Sequence, residues 1–205
     1  MIDACVHTIT RDGKYLEACL DAICPFVKKV FVAVDSRSSL FHIRPRPNLR
    51  VWIFPVRNPY YDLVAMRQSM IEKTQEPWVW IMDDDEYYPP DVIQRISQRV
   101  GSADAYALQS WPVWNPTQHH VATSKAWIPR IFRNKGLKWS GKFGKERLYM
   151  EDQLPYYERI YERYIHLTHM KHPLWRKEMG QEREADARRL GNNPSDITRI
   201  VSSLL

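Results

Sequence analysis

Four consecutive carboxylates, Asp83, Asp84, Asp85 and Glu86, stand directly behind the apolar run 78–82 and just ahead of two tyrosines and two prolines. Like charges this close resist ionising beside one another, so a counter-charge must reach them from elsewhere. Along an extended chain alternate side chains share a side. That would turn Asp83 and Asp85 toward one point, with Asp84 and Glu86 facing away. Two carboxylates aimed at one point suit a hard divalent cation. Mn²⁺ or Mg²⁺ normally takes one or two carboxylates and completes its shell with phosphate oxygens and water. The expected ligands are therefore Asp83 and Asp85, with the ion shared by a diphosphate. The competing account is that the acids complement the dipole of the helix that follows, which explains Asp91 better than it explains all four. The glycine and distal glutamate spacing of an EF-hand is absent.

Such a cluster needs a rigid support, and the preceding sequence supplies one. Residues 2–6 read as a first strand, followed by a turn over HTITRDG. Leu16, Cys19, Leu20 and Ile23 recur at helical spacing within 14–23, and Pro25 ends that pattern. KKVFVAVD is a buried strand ending at Asp35, and LRVWIFPV is a third strand. Asp62 would cap a helix running to about Thr74, with Leu63, Met66, Met70 and Ile71 on one side. VWIM is a fourth strand whose continuous apolar run suits a sheet covered on both faces. Residues 90–100 form another helix, opened by Pro90. Strand and helix alternate up to this point, which predicts an α/β fold with a mostly parallel central sheet flanked by helices. Ligands bind such sheets at the carboxyl ends of the strands. His7, Thr8, Asp35, Arg57 and the acidic cluster would all gather there.

Beyond residue 104 the pattern changes. DAYALQS, WIPRIFRN and RYIHLTH read as strands separated by long loops rich in Trp, Lys and Gly. Lys125, Arg130, Arg133, Lys135, Lys138, Lys142 and Lys145 crowd this region together with Trp127 and Trp139. Cations there would stabilise a leaving diphosphate; the same mixture could grip a nucleic-acid backbone and stack bases. The organisation expected is one domain over 1–190, with a nucleotide-binding half at 1–104, an acceptor-side half at 105–172, a helix at 173–190 and a loose tail at 191–205.

The bulk properties agree with one soluble domain. A chain of 205 residues buries roughly 70% of its unfolded surface. The net charge of +6 favours anionic partners. The three cysteines crowd the first 24 residues without a CxxC pair, which argues against a zinc site or disulfide framework and for reduced thiols in a cytoplasmic protein. The opening residues lack a secretory signal, and no apolar run approaches the length of a membrane span.

Four segments, in order, resemble family 2 glycosyltransferases of the nucleotide-sugar-binding GT-A fold. VHTITRDGKYLEACLDAI resembles their opening strand, turn and helix. VFVAVDSRS resembles the second strand, which ends in an aspartate. DLVAMRQSMIEKTQEPWVWIMDDDEYYPPDVI resembles the helix and strand leading to the DxD motif, and IPRIFRNKGLKWSGKFGKERLY a later segment with a basic residue or histidine before a glutamate. The resemblance implies a single-domain GT-A fold and transfer of a sugar from a nucleoside-diphosphate donor, a UDP-sugar, to a hydroxyl of a glycan, lipid, protein or DNA acceptor, with Mn²⁺ or Mg²⁺ as cofactor. It implies that Asp85 coordinates the metal, that Asp83 lies near the metal or the ribose, that Asp35 contacts the base, and that Arg67 contacts the nucleotide or braces the acidic loop. Thr8, Asp84 and Lys145 join the expected nucleotide-sugar contacts. Glu146 is the expected base for the acceptor hydroxyl. His169, or else His166, is the expected third metal ligand.

Two departures stand out. Arg11–Asp12 occupies the place where Asn–Glu is common, and Lys145–Glu146 the place where His–Glu is frequent. Two other functions remain open at this level: a glycosyltransferase acting on a hydroxymethylated DNA base, and a non-catalytic nucleic-acid-binding protein. The sequence carries no RRM, zinc-finger or helix-turn-helix signature.

Overall fold

The computed structural model describes residues 1–11, 13–37, 42–57, 59–113, 126–141 and 146–167, with the backbone alone at 59–61. The predicted helix at 173–190 and the tail at 191–205 lie outside the described residues, as do Lys145 and His169.

The chain opens with strand β1 (Ile2–Thr10), helix α1 (Leu16–Ile23), a short 3-10 turn (Cys24–Phe26) and strand β2 (Val27–Asp35). Strand β3 (Leu49–Phe54), helix α2 (Pro59–Glu72), strand β4 (Trp78–Ile81), the short strand β5 (Glu86–Tyr87) and helix α3 (Pro90–Ser97) follow. Strands β6 (Ala105–Pro112), β7 (Ile128–Arg133), β8 (Leu137–Ser140), β9 (Arg147–Met150) and β10 (Glu158–His166) complete it.

Eight strands form one sheet in the order β3-β2-β1-β4-β7-β6-β10-β5, and β8 and β9 form a separate hairpin. The first four neighbours are parallel, as the strand–helix alternation requires. Strand β7 then enters antiparallel to both β4 and β6, so the sheet is mixed but largely parallel. All four residues of β4 are buried, in keeping with a central strand covered on both faces. On one face Leu16, Leu20 and Ile23 of α1 and Ile93 and Ile96 of α3 pack against Trp80, Tyr106 and Tyr164. On the other, Met66 and Met70 of α2 meet Cys5, Phe31 and Ala33, while Leu137 and Leu148 of the hairpin cover Val79, Ile81 and Phe132.

Three features differ from the sequence expectation. Helix α2 opens at Pro59, so Asp62 lies in its first turn rather than at its cap. Strand β1 does not turn at His7 but continues to Thr10. Two of its polar side chains are buried there with partners: His7 Nε2 lies 2.7 Å from Thr74 Oγ1, and Thr10 donates to Asp84. The β8–β9 hairpin was expected only as loop. It is tied to α2 by the Trp139 amide, which donates to Gln68 Oε1 at 2.9 Å. Among the described residues no helix is long and apolar enough to cross a membrane, and the three cysteines are buried and free.

Candidate active site

The acidic cluster follows β4 as expected, but the chain is not extended through it. Asp84 and Asp85 form a turn closed by the Glu86 amide, which donates to the Asp83 carbonyl at 3.1 Å. A turn breaks the alternation of an extended strand, so the four side chains leave in other directions than strand geometry predicts. Asp83 and Glu86 converge, both accepting from Arg130, at 3.1 Å for Asp83 Oδ2. Asp84 points back to β1, where its Oδ2 accepts the Thr10 hydroxyl at 2.6 Å. Asp85 turns to β10, with Oδ1 3.6 Å from His166 Nε2, while its carbonyl accepts from the Leu167 amide.

The counter-charge for this cluster is two arginines. Arg67 of α2 donates to Asp83 Oδ1 at 3.2 Å, and Arg130 of β7 to the other oxygen. Burial opposes ionisation of Asp83, but Arg130 and then Arg67 outweigh it and hold the carboxyl well below the usual carboxylate range. Burial is the largest influence on Glu86. Asp83 and Asp85 add to it, and together they outweigh Arg130 and push the group up to about 8. The Glu86 side chain also accepts from the Asp83 amide and the Tyr88 hydroxyl.

Arg130 reaches this position through a bulge. Tyr106 pairs with Ile131 and Ala107 with Pro129, so Arg130 is the extra residue on β7. A bulge bends a strand and re-aims a side chain. Strand β4 pairs with β7 only as far as Ile131, so the missing amide hydrogen of Pro129 withdraws no bond from β4. Among the sequence expectations Arg130 was one of several basic residues in its region. Its signal is a lone cation inside the apolar strand IPRIF, whose partners lie 44 and 47 residues earlier.

A cleft of about 550 Å³ opens over this arrangement, lined by Arg67, Asp83, Arg130, Trp139, Glu146 and Arg147 among others. Arg67 is only 8% exposed, and its guanidinium lies 5.1 Å from the Trp139 ring. Among the described residues its Nε and Nη1 have no hydrogen-bond partner. Buried guanidinium donors left unpaired are costly and suit an anionic ligand. Glu146 stands just before β9, with Oε1 4.0 Å from Arg67 Nε.

Among the described residues, Asp35 and Thr8 do not line this cleft. Asp35, at the end of β2, is 1% exposed and accepts from the Arg37 amide and guanidinium; those bonds hold its carboxyl below its ordinary range. Thr8 is fully buried in β1, with its hydroxyl unpartnered. Thr10, two residues on, is the one that meets the acidic turn.

As a seat for a divalent ion, the Asp83 oxygens are committed to guanidiniums. Asp85 and His166 stand 3.6 Å apart as a carboxylate and an imidazole. Two such donors fit an ion whose shell is completed by diphosphate oxygens and water. Among the described residues no group of three or more His, Cys, Asp or Glu side chains is placed to hold a metal.

A largely parallel sheet with an acidic turn and a cationic cleft at the carboxyl end of its central strand defines the GT-A class of fold. The chain belongs to glycosyl transferase family 2, whose profile matches residues 5–157. Among solved structures it is similar to TarS 1-349 of S. aureus, at 14% identity and a TM-score of 0.45, covering 65% of this chain and 47% of that one. The same protein in complex with UDP-GlcNAc matches at 14% identity and a TM-score of 0.40, covering 55% of this chain and 35% of that one. The 4-diphosphocytidyl-2C-methyl-D-erythritol synthase of Anaerococcus prevotii DSM 20548 matches at 8% identity and a TM-score of 0.44, over 64% of this chain and 70% of that one. This chain thus spans about half the length of the TarS fragment. No curated protein matches it.

Proposed function

We propose that this chain transfers a glycosyl group from a nucleoside-diphosphate sugar, a UDP-sugar, to a hydroxyl acceptor. The observation that carries the reading is the pair of arginines, Arg67 and Arg130, that clamp Asp83 in the cleft where Glu146 stands. Family membership supports the same reaction class.

The residues divide the work. The Arg67 guanidinium lines the cleft and supplies positive charge to the donor's diphosphate. Asp83, held ionised and bonded at both oxygens, fixes the two guanidiniums in place beside the donor. Glu146 takes the proton of the acceptor hydroxyl as its oxygen attacks the anomeric carbon. The bond from that carbon to the diphosphate oxygen breaks, and the electron pair leaves with the diphosphate. Arg67, Arg130 and Arg147 stabilise the charge that develops there. Asp85 and His166 are the residues that would hold Mn²⁺ or Mg²⁺, which supplies further neutralisation of the diphosphate when bound.

Calorimetry with UDP, with and without Mn²⁺, tests the reading. The parent should bind UDP more tightly with the metal, and an Asp85→Asn variant should lose that increment. Equal binding by the parent and the variant in both conditions would remove Asp85 from the site. Absence of any UDP binding by the parent would remove the donor assignment.

A further inference from the structure

A second groove adjoins the cleft. It measures about 630 Å³ and is lined by Pro155, Tyr156, Tyr157, Glu158, Arg159 and Tyr161. Pro155 and Tyr157 line both spaces, so the groove continues from the place where Glu146 stands. Two of its tyrosines are held out to solvent, Tyr156 at 84% and Tyr161 at 72% exposure. Leu154, on the wall of the adjoining cleft, is exposed as well, and a contiguous apolar patch rimmed by polar residues marks a binding surface. One of the two tyrosines, Tyr161, is held by a neighbouring ring. The Tyr161 ring meets Trp127 edge to face at 5.0 Å, and the Arg159 guanidinium lies 5.3 Å from the Trp127 ring on its other contact.

The charges of the groove narrow the ligand. Among the described residues Arg159 has no carboxylate partner. Nor does Arg147, in the adjoining cleft. The Glu158 carboxylate is engaged by the Ser102 hydroxyl at 3.4 Å. A nucleic-acid strand needs a run of cations to follow its phosphates, and this groove offers one arginine with a glutamate beside it. Flat tyrosine faces instead suit the apolar face of a sugar ring, with their hydroxyls free to bond its substituents. One unneutralised guanidinium suits an isolated acidic group on such a ring. The volume falls within the range of small-ligand sites.

We infer that this groove is an acceptor subsite for an acidic saccharide, whose sugar ring stacks on Tyr156 and Tyr161 while its acid group pairs with Arg159. The inference rests on the proposed sugar transfer and names the acceptor class for that same cleft.

The test separates acceptor from donor. The full chain, saturated with UDP, is applied to an immobilised panel of polygalacturonate, hyaluronan and sialyllactose, with maltohexaose and cellohexaose as neutral counterparts and a single-stranded oligodeoxynucleotide as a polyphosphate control. Retention on at least one acidic glycan, at least about tenfold above its neutral counterparts, is expected. Arg159→Ala should abolish the preference for acid, and a Tyr156→Ala, Tyr161→Ala double variant should reduce retention about tenfold or more. Both variants should bind UDP in calorimetry as the parent does. Normal UDP binding without glycan retention, equal retention of acidic and neutral glycans, preferential retention on the oligonucleotide, or variants that bind like the parent would each overturn the subsite. Loss of UDP binding by the parent would instead overturn the donor reading.

Discussion

Arg130 and Glu86, 44 residues apart in sequence, are joined by a buried hydrogen bond beneath the cleft. The guanidinium is brought there by a strand bulge, and the carboxylate by a tight turn. Neither side chain would meet the other if both segments were regular β-structure.

Removing Arg130 leaves Asp83 and Glu86 without their shared partner. Breaking a buried pair by truncating one member costs about 3–5 kcal/mol, so Arg130→Ala should lower stability by that order. Arg130→Lys should recover only part, because a lysine lacks the planar fork that spans two carboxylates. Urea unfolding of the three proteins checks this, and a loss below about 1 kcal/mol for the alanine variant would contradict the pairing.

The bond from Thr10 to Asp84 ties the end of β1 to the acidic turn. Thr10→Val keeps the shape but leaves a buried carboxylate short of a donor, at a cost of about 1–3 kcal/mol. Thr10→Ser should restore most of it. Donor affinity should fall in parallel, since the turn carries Asp83. Unfolding midpoints that do not distinguish valine from serine would argue against the bond.

His7 gives a signature in pH. The Thr74 hydroxyl donates to the Met70 carbonyl at 2.8 Å, so it accepts from His7 Nε2–H and leaves Nδ1 unprotonated. Burial first, and the charge of Arg67 second, push the imidazole from its usual 6.5 down to about 3. Between those values the unfolded chain binds the proton and the folded one does not. The contribution of His7 is therefore fully present above about pH 6.5 and is lost as pH falls toward 3, with a slope approaching 1.4 kcal/mol per unit. A His7→Gln variant should show a shallower fall in stability between pH 6.5 and 5 than the parent. Parallel curves would show that His7 protonates freely in the folded state.

Glu146 is assigned the proton of the acceptor. Glu146→Gln should lower turnover by about 10²–10⁴-fold while UDP affinity stays within about twofold of the parent. Hydrolysis or transfer at the parental rate would move the base elsewhere.

Much of the fold was legible in the sequence because it rests on local pattern. The apolar run of β4, the Leu16–Ile23 spacing of α1 and Pro90 opening α3 each specify an element from adjacent residues. The parallel half of the sheet follows from their alternation. Of the acids and cations that the sequence offered, the structure gathers Asp83, Arg67 and Glu146 at one cleft, a grouping that follows from the order of the elements carrying them. The directions of the acidic side chains were not legible. Asp84 and Asp85 turn because one amide reaches back across three residues, and an alternation argument assumes that no such turn occurs. Arg130 was hidden for another reason: its partners come from β4's far end, and only the pairing register of β6 shows that it is displaced. Strand β1 was cut short because histidine and threonine look like a loop until Thr74 and Asp84 are seen to satisfy them.

The extra residue at Arg130 is accommodated without changing the pairing on either side of it. Ile131 stays opposite Tyr106 and Ile128 opposite Leu108, with one residue more on β7 than on β6 between them. Deleting Arg130 would therefore leave a regular ladder with Ile128 on its present side of the sheet. The cost of the deletion should fall on Asp83 and Glu86, which lose their shared partner, rather than on the pairing of the strand.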